Sequence, residues 1–187
     1  MNANNKIIFI IGGPGSGKGT QCSRLVRNIP SSVHISSGDL LRKEAKTNES
    51  IKRIIDSGLL VPSHVSIGLV IDEINKYTNT IFLLDGFHRQ YEQTLLFEQQ
   101  LKHYHVAILC VIYFNCSHQT MINRLLNRNQ SDRSDDNIVA IQQRLNVFQS
   151  AIEPILNYYS DMVITVNSEI DANSLQHDIL NALSTRI

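Results

Sequence analysis

The sequence predicts an α/β fold, a three-layer sandwich in which helices cover both faces of a five-stranded parallel sheet. Short apolar runs of strand length, such as residues 6–11 and 80–84, alternate along the chain with segments of helical periodicity. Strands that are apolar throughout are typical of parallel sheets that are buried on both faces. The chain has 187 residues, 42% of them hydrophobic, which is enough for one domain with a substantial core.

In the first half of the chain, glycine, proline and capping residues mark the helix boundaries. A helix is predicted to begin near Lys18 and to end before Pro30, Gly58 stops a short helix, and Ser63 caps the helix that follows. The predicted elements are a strand at 6–11, a helix at 18–28, a strand at 33–36, and helices at 40–44, at 49–57 and from 63 onward.

In the second half, strands and helices continue to alternate. Residues 129–137 are polar throughout and predict a solvated loop, and the helix after them carries an apolar stripe and Pro154. The predicted elements are strands at 80–84, 106–114 and 162–166, and helices at 91–104, at 117–128, from about 138, and from 171 or 173 to the end.

A glycine-rich stretch directly follows the first strand: residues 12–20 read Gly-Gly-Pro-Gly-Ser-Gly-Lys-Gly-Thr. Glycines let backbone N–H groups approach an anion closely, and a helix N-terminus with Lys18 adds positive charge. This pattern after a strand predicts a phosphate site and the fold of the P-loop containing nucleoside triphosphate hydrolase type. Because Gly19 stands where the general motif has Ser or Thr, we expect Mg²⁺ to be held mainly by phosphates and waters.

The strand at 80–84 is followed by Asp85. A carboxylate at the carboxyl end of such a strand, in a chain with a phosphate loop, is the usual partner of Mg²⁺ and its waters. The alternative is an aspartate that caps a helix from within a turn.

Several arginines fall near the predicted carboxyl ends of the strands or next to the polar loop, where a doubly wound sheet gathers side chains around one crevice. Planar guanidinium groups suit the oxygens of a phosphoryl group in transfer better than ammonium groups do. The arginines in question are Arg42, Arg89, Arg124, Arg128, Arg133 and Arg144.

Composition narrows the class of partner. The formal net charge is +0 and the pI is about 7.1, so the chain has no overall field that would recruit nucleic acid or a membrane surface. No apolar run reaches the ~18 residues of a membrane span, and the first five residues do not resemble a signal peptide. We therefore expect a cytoplasmic protein with a small ligand.

The three cysteines, Cys22, Cys110 and Cys116, are odd in number and show no Cys-x-x-Cys pair. Their spacing predicts core thiols and argues against disulfides and structural zinc.

Taken together, these motifs resemble the nucleoside monophosphate kinases of the adenylate kinase and UMP-CMP kinase family. The matching stretches occur in the same order over essentially the whole chain. They are residues 12–21, 37–42, 61–62 and 83–87, then Arg89, Arg124 and Arg128, residues 135–137, and Arg144.

The resemblance implies in-line transfer of the γ-phosphoryl group of MgATP to a nucleoside monophosphate by a monomer. It also implies an acceptor-binding insert at about 37–66 and a short lid at about 128–136.

The expected catalytic residues are Lys18, Arg89, Arg128, Arg133 and Arg144, and Asp85 is expected to hold Mg²⁺ through water. The expected ATP-binding residues are Gly13, Pro14, Gly15, Ser16, Gly17, Lys18, Gly19, Thr20 and Arg124. The expected acceptor-binding residues are Ser37, Arg42, Leu60, Val61, Gly86, Arg89, Gln93, Arg133 and Arg144.

The chain departs from the family pattern at His88, where the family has a proline preceded by a cis peptide. We expect the backbone to keep the family's path so that Arg89 reaches the acceptor, and we expect His88→Pro to be tolerated and to raise stability or activity. The lid is one residue shorter than usual and has Asp132 in place of a glycine, and the insert after Arg42 is also short. These departures bear on rate and acceptor geometry.

The acceptor base is the harder question. Ser37 and Gln93 match residues of adenylate kinases and favour AMP, whereas residues 62–66 look more like the pyrimidine branch of the family. We therefore expect AMP as the acceptor, with UMP or CMP as the alternative.

Two alternative functions, each of a different class of protein, stay open. One is a nucleotide-binding regulator that has lost turnover through the change at His88. The other is a P-loop kinase of a sugar or a shikimate-like acid, which would leave the arginines largely unused.

Overall fold

The computed structural model describes residues 4–127 and 137–187. Its five strands are β1 (Lys6–Gly12), β2 (Ser32–Ser36), β3 (Ile81–Asp85), β4 (Ala107–Asn115) and β5 (Val163–Asn167). Its helices are α1 (Lys18–Leu25), α2 (Ser37–Glu44), α3 (Glu49–Asp56), α4 (Ser63–Ile74), α5 (Tyr91–His103), α6 (His118–Leu126), α7 (Ile138–Tyr158) and α8 (Ala172–Leu183), with a 3-10 turn at Ser160–Met162.

The five strands form one parallel sheet in the order β2-β3-β1-β4-β5. This confirms the predicted α/β fold with a five-stranded parallel sheet. The first strand lies at the centre, and the order reverses around it, with β3 on one side and β4 on the other. Ligands of open parallel sheets bind outside the carboxyl ends of the strands at such a reversal.

Alternate residues of β1 enter two different cores. Ile7 and Phe9 pack with residues of α4, α5 and α7 on one face, whereas Ile8 and Ile10 pack with residues of α1 and α8 on the other. All four side chains are buried. The period-two alternation of a strand therefore produces the three layers, and an uninterrupted apolar run suits a strand covered on both faces.

The segment between β2 and β3 is helical. Ser36 caps α2 by accepting from the N–H of Asp39, and Asn48 caps α3 by accepting from the N–H of Ile51. The predicted insert at about 37–66 covers α2, α3 and the beginning of α4, and its role as a separate binding unit stays a prediction. The predicted lid lies almost entirely outside the described residues.

The predicted element boundaries differ from the observed ones by a few residues. The first helix ends at Leu25 rather than at 28, where turns take over. Helix α7 runs through the exposed Pro154 to Tyr158, because Leu145 and Ile155 are fully buried and hold the helix on both sides of the lost hydrogen bond. Among the helices described, none has both the length and the apolar character needed to cross a membrane.

Candidate active site

A cleft of about 510 Å³ opens at the carboxyl ends of β1, β2 and β3. Its walls come from the glycine-rich loop, the segment between β2 and β3, the turn after β3, and one face of α7. The cationic side chains that line it, among the residues described, are Lys18, Arg42, Arg89 and Arg144. Such a concentration of positive charge in a chain of zero net charge suits a small ligand that carries several negative charges.

The glycine-rich loop owes its path to left-handed backbone at two positions. Gly15 has φ +82°, and a Cβ there would lie 2.6 Å from the carbonyl oxygen of Met121. Gly17, with φ 89°, is the residue from which α1 begins. Side chains are strongly disfavoured in this conformation, so the loop turns its backbone toward the cleft only because these residues are glycine.

The ammonium group of Lys18 lies inside this loop. It donates to the carbonyl oxygens of Gly12 and Gly13, both at 2.8 Å, and lies 3.4 Å from Ser16 Oγ. Burial lowers the pKa of Lys18 to about 8, an effect that the negative charge of Asp85 opposes. Lys18 is therefore a cation at neutral pH whose charge an anionic ligand would stabilise further.

Asp85 ends β3 beside the loop. A Cβ placed at Gly19 would lie 3.7 Å from Asp85 Oδ2, and His34 Nε2 lies 3.6 Å from the same oxygen. Asp85 Oδ1 is buried and has no hydrogen-bond partner among residues 4–127 and 137–187. Sequence reasoning identified Asp85 but missed His34, which points into the same space from β2. The available signal was that His34 lies two residues before Ser36 in a predicted strand, so the two side chains point to the same face of the sheet.

The carbonyl oxygen of Gly86 organises the turn after β3. It accepts from Ser37 Oγ at 2.7 Å and from Arg89 Nε at 2.8 Å. These bonds hold the Arg89 guanidinium against the cleft and link the start of α2 to the turn. The hydroxyl hydrogen of Ser37 is therefore used in a hydrogen bond to the main chain.

The amide of Gln93 is fixed by two internal hydrogen bonds. Its Oε1 accepts from the N–H of Arg89 at 3.1 Å, and its Nε2 donates to Ser66 Oγ at 2.9 Å. Gln93 lines the cleft although it is only 5% exposed. Ser66 was not among the predicted residues, since its part in this network depends on contact between α4 and α5.

The turn at His88 does not follow the expected path. No peptide bond among the described residues is cis, yet Arg89 still lines the cleft, so the prediction that the family's cis path is kept is wrong. His88 is 8% exposed, its Nε2 lies 3.3 Å from the hydroxyl of Tyr159, and its ring meets Phe9 edge-on with centroids 4.2 Å apart. These contacts depend on the imidazole ring, which removes the basis for expecting His88→Pro to be harmless. Burial lowers the pKa of His88 to about 3, so the ring is neutral at neutral pH.

Most of the predicted site residues line the cleft together. Arg42, whose guanidinium pairs with Asp39, enters it from α2, and Leu60 and Val61 enter it from the extended segment after α3. The predicted residues found in its walls are Pro14, Gly15, Gly17, Lys18, Gly19, Thr20, Ser37, Arg42, Leu60, Val61, Asp85, Gly86, Arg89, Gln93 and Arg144.

A few predicted residues lie elsewhere. Gly13 and Ser16 are buried within the loop, with Gly13 packed against Met121 and Phe148. Arg124 lies behind the loop and donates to the carbonyl oxygen of Ser168 at 2.9 Å. Arg128 and Arg133 fall outside the described residues.

Comparisons with known proteins agree with this geometry. The sequence model of the family described as adenylate kinase matches residues 10–164. The chain is 36% identical over 188 residues to a protein named uridylate kinase from Saccharomyces cerevisiae, covering 95% of this chain and 90% of the relative. It is 37% identical to a protein named uridylate kinase from Schizosaccharomyces pombe, covering 95% and 96%. It is 42% identical over 158 residues to UMP-CMP kinase 3 of Oryza sativa subsp. japonica, covering 82% and 73%.

These names do not support the expectation that AMP is the main acceptor, and they agree better with the alternative. They do support the reaction class expected from the loop and the arginines, since both names denote kinases that phosphorylate a phosphate group. On the family match and these identities, the chain belongs to the adenylate kinase family of phosphotransferases, which have a phosphate group as acceptor.

Proposed function

We propose that this protein is a UMP-CMP kinase, which transfers the γ-phosphoryl group of MgATP to UMP or CMP and acts as a monomer. The observation that carries the proposal is the identity of 36% and 42% to relatives named uridylate kinase and UMP-CMP kinase, over 95% and 82% of the chain. The cationic cleft supports the reaction class, since two nucleotides that meet through their phosphates bring several negative charges into it.

The contacts of two residues weaken the case for AMP. The preference for AMP rested on Ser37 and Gln93, but the Ser37 hydroxyl donates to Gly86, and both ends of the Gln93 amide are hydrogen-bonded within the protein. One N–H and one lone pair of that amide are left for a base. A single donor and a single acceptor match the polar edge of a pyrimidine as well as that of adenine, so Gln93 does not single out AMP.

On the donor side, we propose that the loop amides and Lys18 bind the ATP phosphates and that Arg124 packs against the ATP base. Lys18 supplies a full charge at the outer phosphates, where charge shifts as the phosphoryl group leaves. The same ammonium donates to two loop carbonyls in the described structure. Its hydrogen bonds therefore hold the lysine close to the phosphate position before a nucleotide binds.

Asp85 fits the metal of MgATP. It offers a buried carboxylate oxygen without a hydrogen-bond partner beside the loop, and carboxylate and water oxygens are the ligands that Mg²⁺ prefers. Asp85 would hold the waters of the ion, and Gly19 brings no hydroxyl ligand of its own. When bound, Mg²⁺ neutralises charge on the phosphates of the donor.

On the acceptor side, we propose that Arg42 and Arg89 bind the acceptor phosphate, while Leu60, Val61 and Gly86 enclose the nucleoside. Arg144, with Arg128 and Arg133, would stabilise the transferring group, where planar donors match the equatorial oxygens. Closure of the insert and the lid over both substrates would exclude water, which otherwise accepts the phosphoryl group.

The proposal is tested by a coupled assay of ADP formation by the purified protein with MgATP and, in turn, CMP, UMP, AMP and GMP. We expect kcat/KM for CMP and UMP to exceed that for AMP and GMP by at least about tenfold, a difference of ~1.4 kcal/mol in transition-state binding. A higher kcat/KM with AMP would overturn the pyrimidine assignment. Binding of ATP without ADP formation from any acceptor would favour the regulator instead.

A further inference from the structure

Three side chains from three different elements meet behind the phosphate loop. Cys22 comes from α1, His34 from β2 and Asp85 from the end of β3, and one sulfur, nitrogen or oxygen atom of each lies within 4.8 Å of the other two. His34 and Asp85 line the cleft, whereas Cys22 is fully buried beneath them. An ion in the cleft can therefore contact His34 and Asp85 directly, with the Cys22 thiol next to them in the interior.

Two of these groups lack a hydrogen-bond partner within the described residues. His34 Nε2 and Asp85 Oδ1 are both buried without a partner, and the 3.6 Å between His34 Nε2 and Asp85 Oδ2 is too long for a hydrogen bond. A buried polar atom without a partner destabilises the fold, because it has given up its hydrogen bonds to water and gained none in return. An imidazole nitrogen and a carboxylate oxygen are thus left without partners on two side chains that both line the cleft, and an ion bound between these side chains would provide ligand bonds for them.

The donor set is characteristic of one kind of cation. Zn²⁺ takes thiolate, imidazole and carboxylate ligands in tetrahedral geometry, with three protein ligands and one open position in sites that face solvent. Mg²⁺ and Ca²⁺ prefer oxygen ligands and do not match a thiol. Metal–ligand distances of about 2.0–2.3 Å require ligand atoms about 3.5 Å apart. Side-chain rotations that shift each ligand atom by about an ångström would bring the three atoms to that spacing around the ion.

Metal binding changes the protonation of Cys22, because zinc is bound by the thiolate and not by the thiol. On binding, an Sγ–Zn bond replaces the S–H bond and the thiol proton passes to solvent.

We propose that Cys22, His34 and Asp85 form a binding site for Zn²⁺, and that its occupation inhibits the phosphotransferase. The inhibitory part rests on the proposed function, because Asp85 cannot ligate Zn²⁺ and at the same time hold the waters of MgATP. The proposal that these three side chains bind Zn²⁺ depends only on their geometry. The spacing of the cysteines in the sequence does not indicate it, since the three ligands come from elements far apart in the chain.

The test of binding uses Co²⁺ as a spectroscopic substitute for Zn²⁺, with the full-length protein kept reduced by a phosphine and free of nucleotide. We expect one Co²⁺ per chain and a thiolate-to-cobalt charge-transfer absorption that Zn²⁺ abolishes by displacement. Cys22→Ser should remove this absorption, whereas Cys110→Ser, a buried thiol of β4, and Cys116→Ser should retain it. Absence of the absorption in the wild type, or its persistence in Cys22→Ser, would overturn the proposal.

The test of inhibition is the Zn²⁺ concentration that halves turnover at fixed MgATP. We expect it to rise at least tenfold in Cys22→Ser and to be unchanged in Cys110→Ser, with circular dichroism confirming the fold of each.

If Cys22→Ser does not fold, His34→Gln takes its place and should weaken Zn²⁺ binding at least tenfold in competition with a chromogenic chelator. Equal inhibition of Cys22→Ser and wild type would show that Zn²⁺ inhibits elsewhere. A cobalt–thiolate absorption in a protein that phosphorylates no nucleotide would refute the proposed function and leave the metal site standing.

Discussion

The turn that follows β1 and the turn that follows β3 enter the same cleft, and they are built differently. Left-handed glycines shape the first, and Gly15 approaches the main chain of Met121 so closely that a Cβ cannot be fitted. The second also begins at a left-handed glycine, Gly86 with φ +71°, but side chains hold the residues after it. Arg89 is bound by Gly86 and Gln93, and His88 contacts Tyr159. A turn made by backbone geometry tolerates almost no substitution, whereas a turn held by side chains can exchange one set of contacts for another.

Lys18→Met should have the largest effect on the β1 side. It removes the charge that we propose to lie at the ATP phosphates, and we expect kcat to fall by about 10²–10³ while the fold survives. Steady-state kinetics and thermal unfolding measure the two quantities, with Lys46→Met, an exposed lysine after α2, as the control. Retention of more than about a tenth of wild-type turnover, ~1.4 kcal/mol, would show that Lys18 does not have this role.

Arg89→Ala probes the β3 side in the same terms. Because we propose that its guanidinium binds the acceptor phosphate, we expect the KM for the nucleoside monophosphate to rise by about tenfold to 100-fold and the KM for ATP to change little. Arg144→Ala should lower kcat instead, because we propose that Arg144 stabilises the transferring group. Equal changes in both KM values for Arg89→Ala would mean that the two turns do not serve separate substrates.

Gly15→Ala tests how rigid the backbone-built turn is. The left-handed conformation costs an alanine about 1–2 kcal/mol, and the 2.6 Å contact with the Met121 carbonyl oxygen adds to that, so we expect a loss of about 2–4 kcal/mol in the free energy of unfolding. Gly68→Ala in α4 is the matched control. Nothing lies within 4 Å of a Cβ there, and helix propensity predicts a gain of up to ~1 kcal/mol. Urea unfolding of both variants makes the comparison, and similar losses would contradict it.

The lowered pKa of Lys18 predicts a pH dependence confined to the β1 turn. The free protein loses this charge above about pH 8, whereas bound phosphates favour the protonated lysine, so affinity for ATP should fall by up to about tenfold per pH unit as the pH rises through 8. Calorimetric titrations between pH 7 and 9.5 measure the slope, and Lys18→Met should show no such pH dependence of ATP affinity.

For the same reason the free energy of unfolding should rise with pH above about 8, because the unfolded chain keeps this proton up to the ordinary pKa of 10.5.

The smallest expected effect belongs to the contact between His88 and Tyr159. A double-mutant cycle of His88→Ala and Tyr159→Phe should give a coupling free energy of about 1 kcal/mol, the usual contribution of one buried hydrogen bond. The coupling should be constant between pH 6 and 8, since the pKa of His88 is about 3 and its ring stays neutral there. A coupling near zero, or a His88→Pro protein more stable than wild type, would show that the imidazole does not hold this turn.

The difference between the two turns also explains what could be predicted from the sequence. Local rules were enough for the phosphate loop, because glycine spacing after an apolar strand determines the backbone path, and the apolar strands determined the sheet. The conformation at His88, the anchoring of Gln93 on Ser66, and the meeting of Cys22 with His34 depend on contacts between elements distant in the chain. No spacing rule contains them, and at His88 the family's proline pattern led to a wrong expectation.

The central position of β1 has a consequence for the synthesis of the chain. Lys6 pairs with Ile81 on one side and with Ala107 on the other, so β1 is synthesised before both of the strands that flank it in the sheet. Until residues 107–115 have emerged, its apolar run has no complete partner surface, and loop-closure entropy opposes early pairing. During synthesis this β-forming, hydrophobic segment therefore waits for both of its sheet neighbours, and a segment in that condition is prone to aggregate.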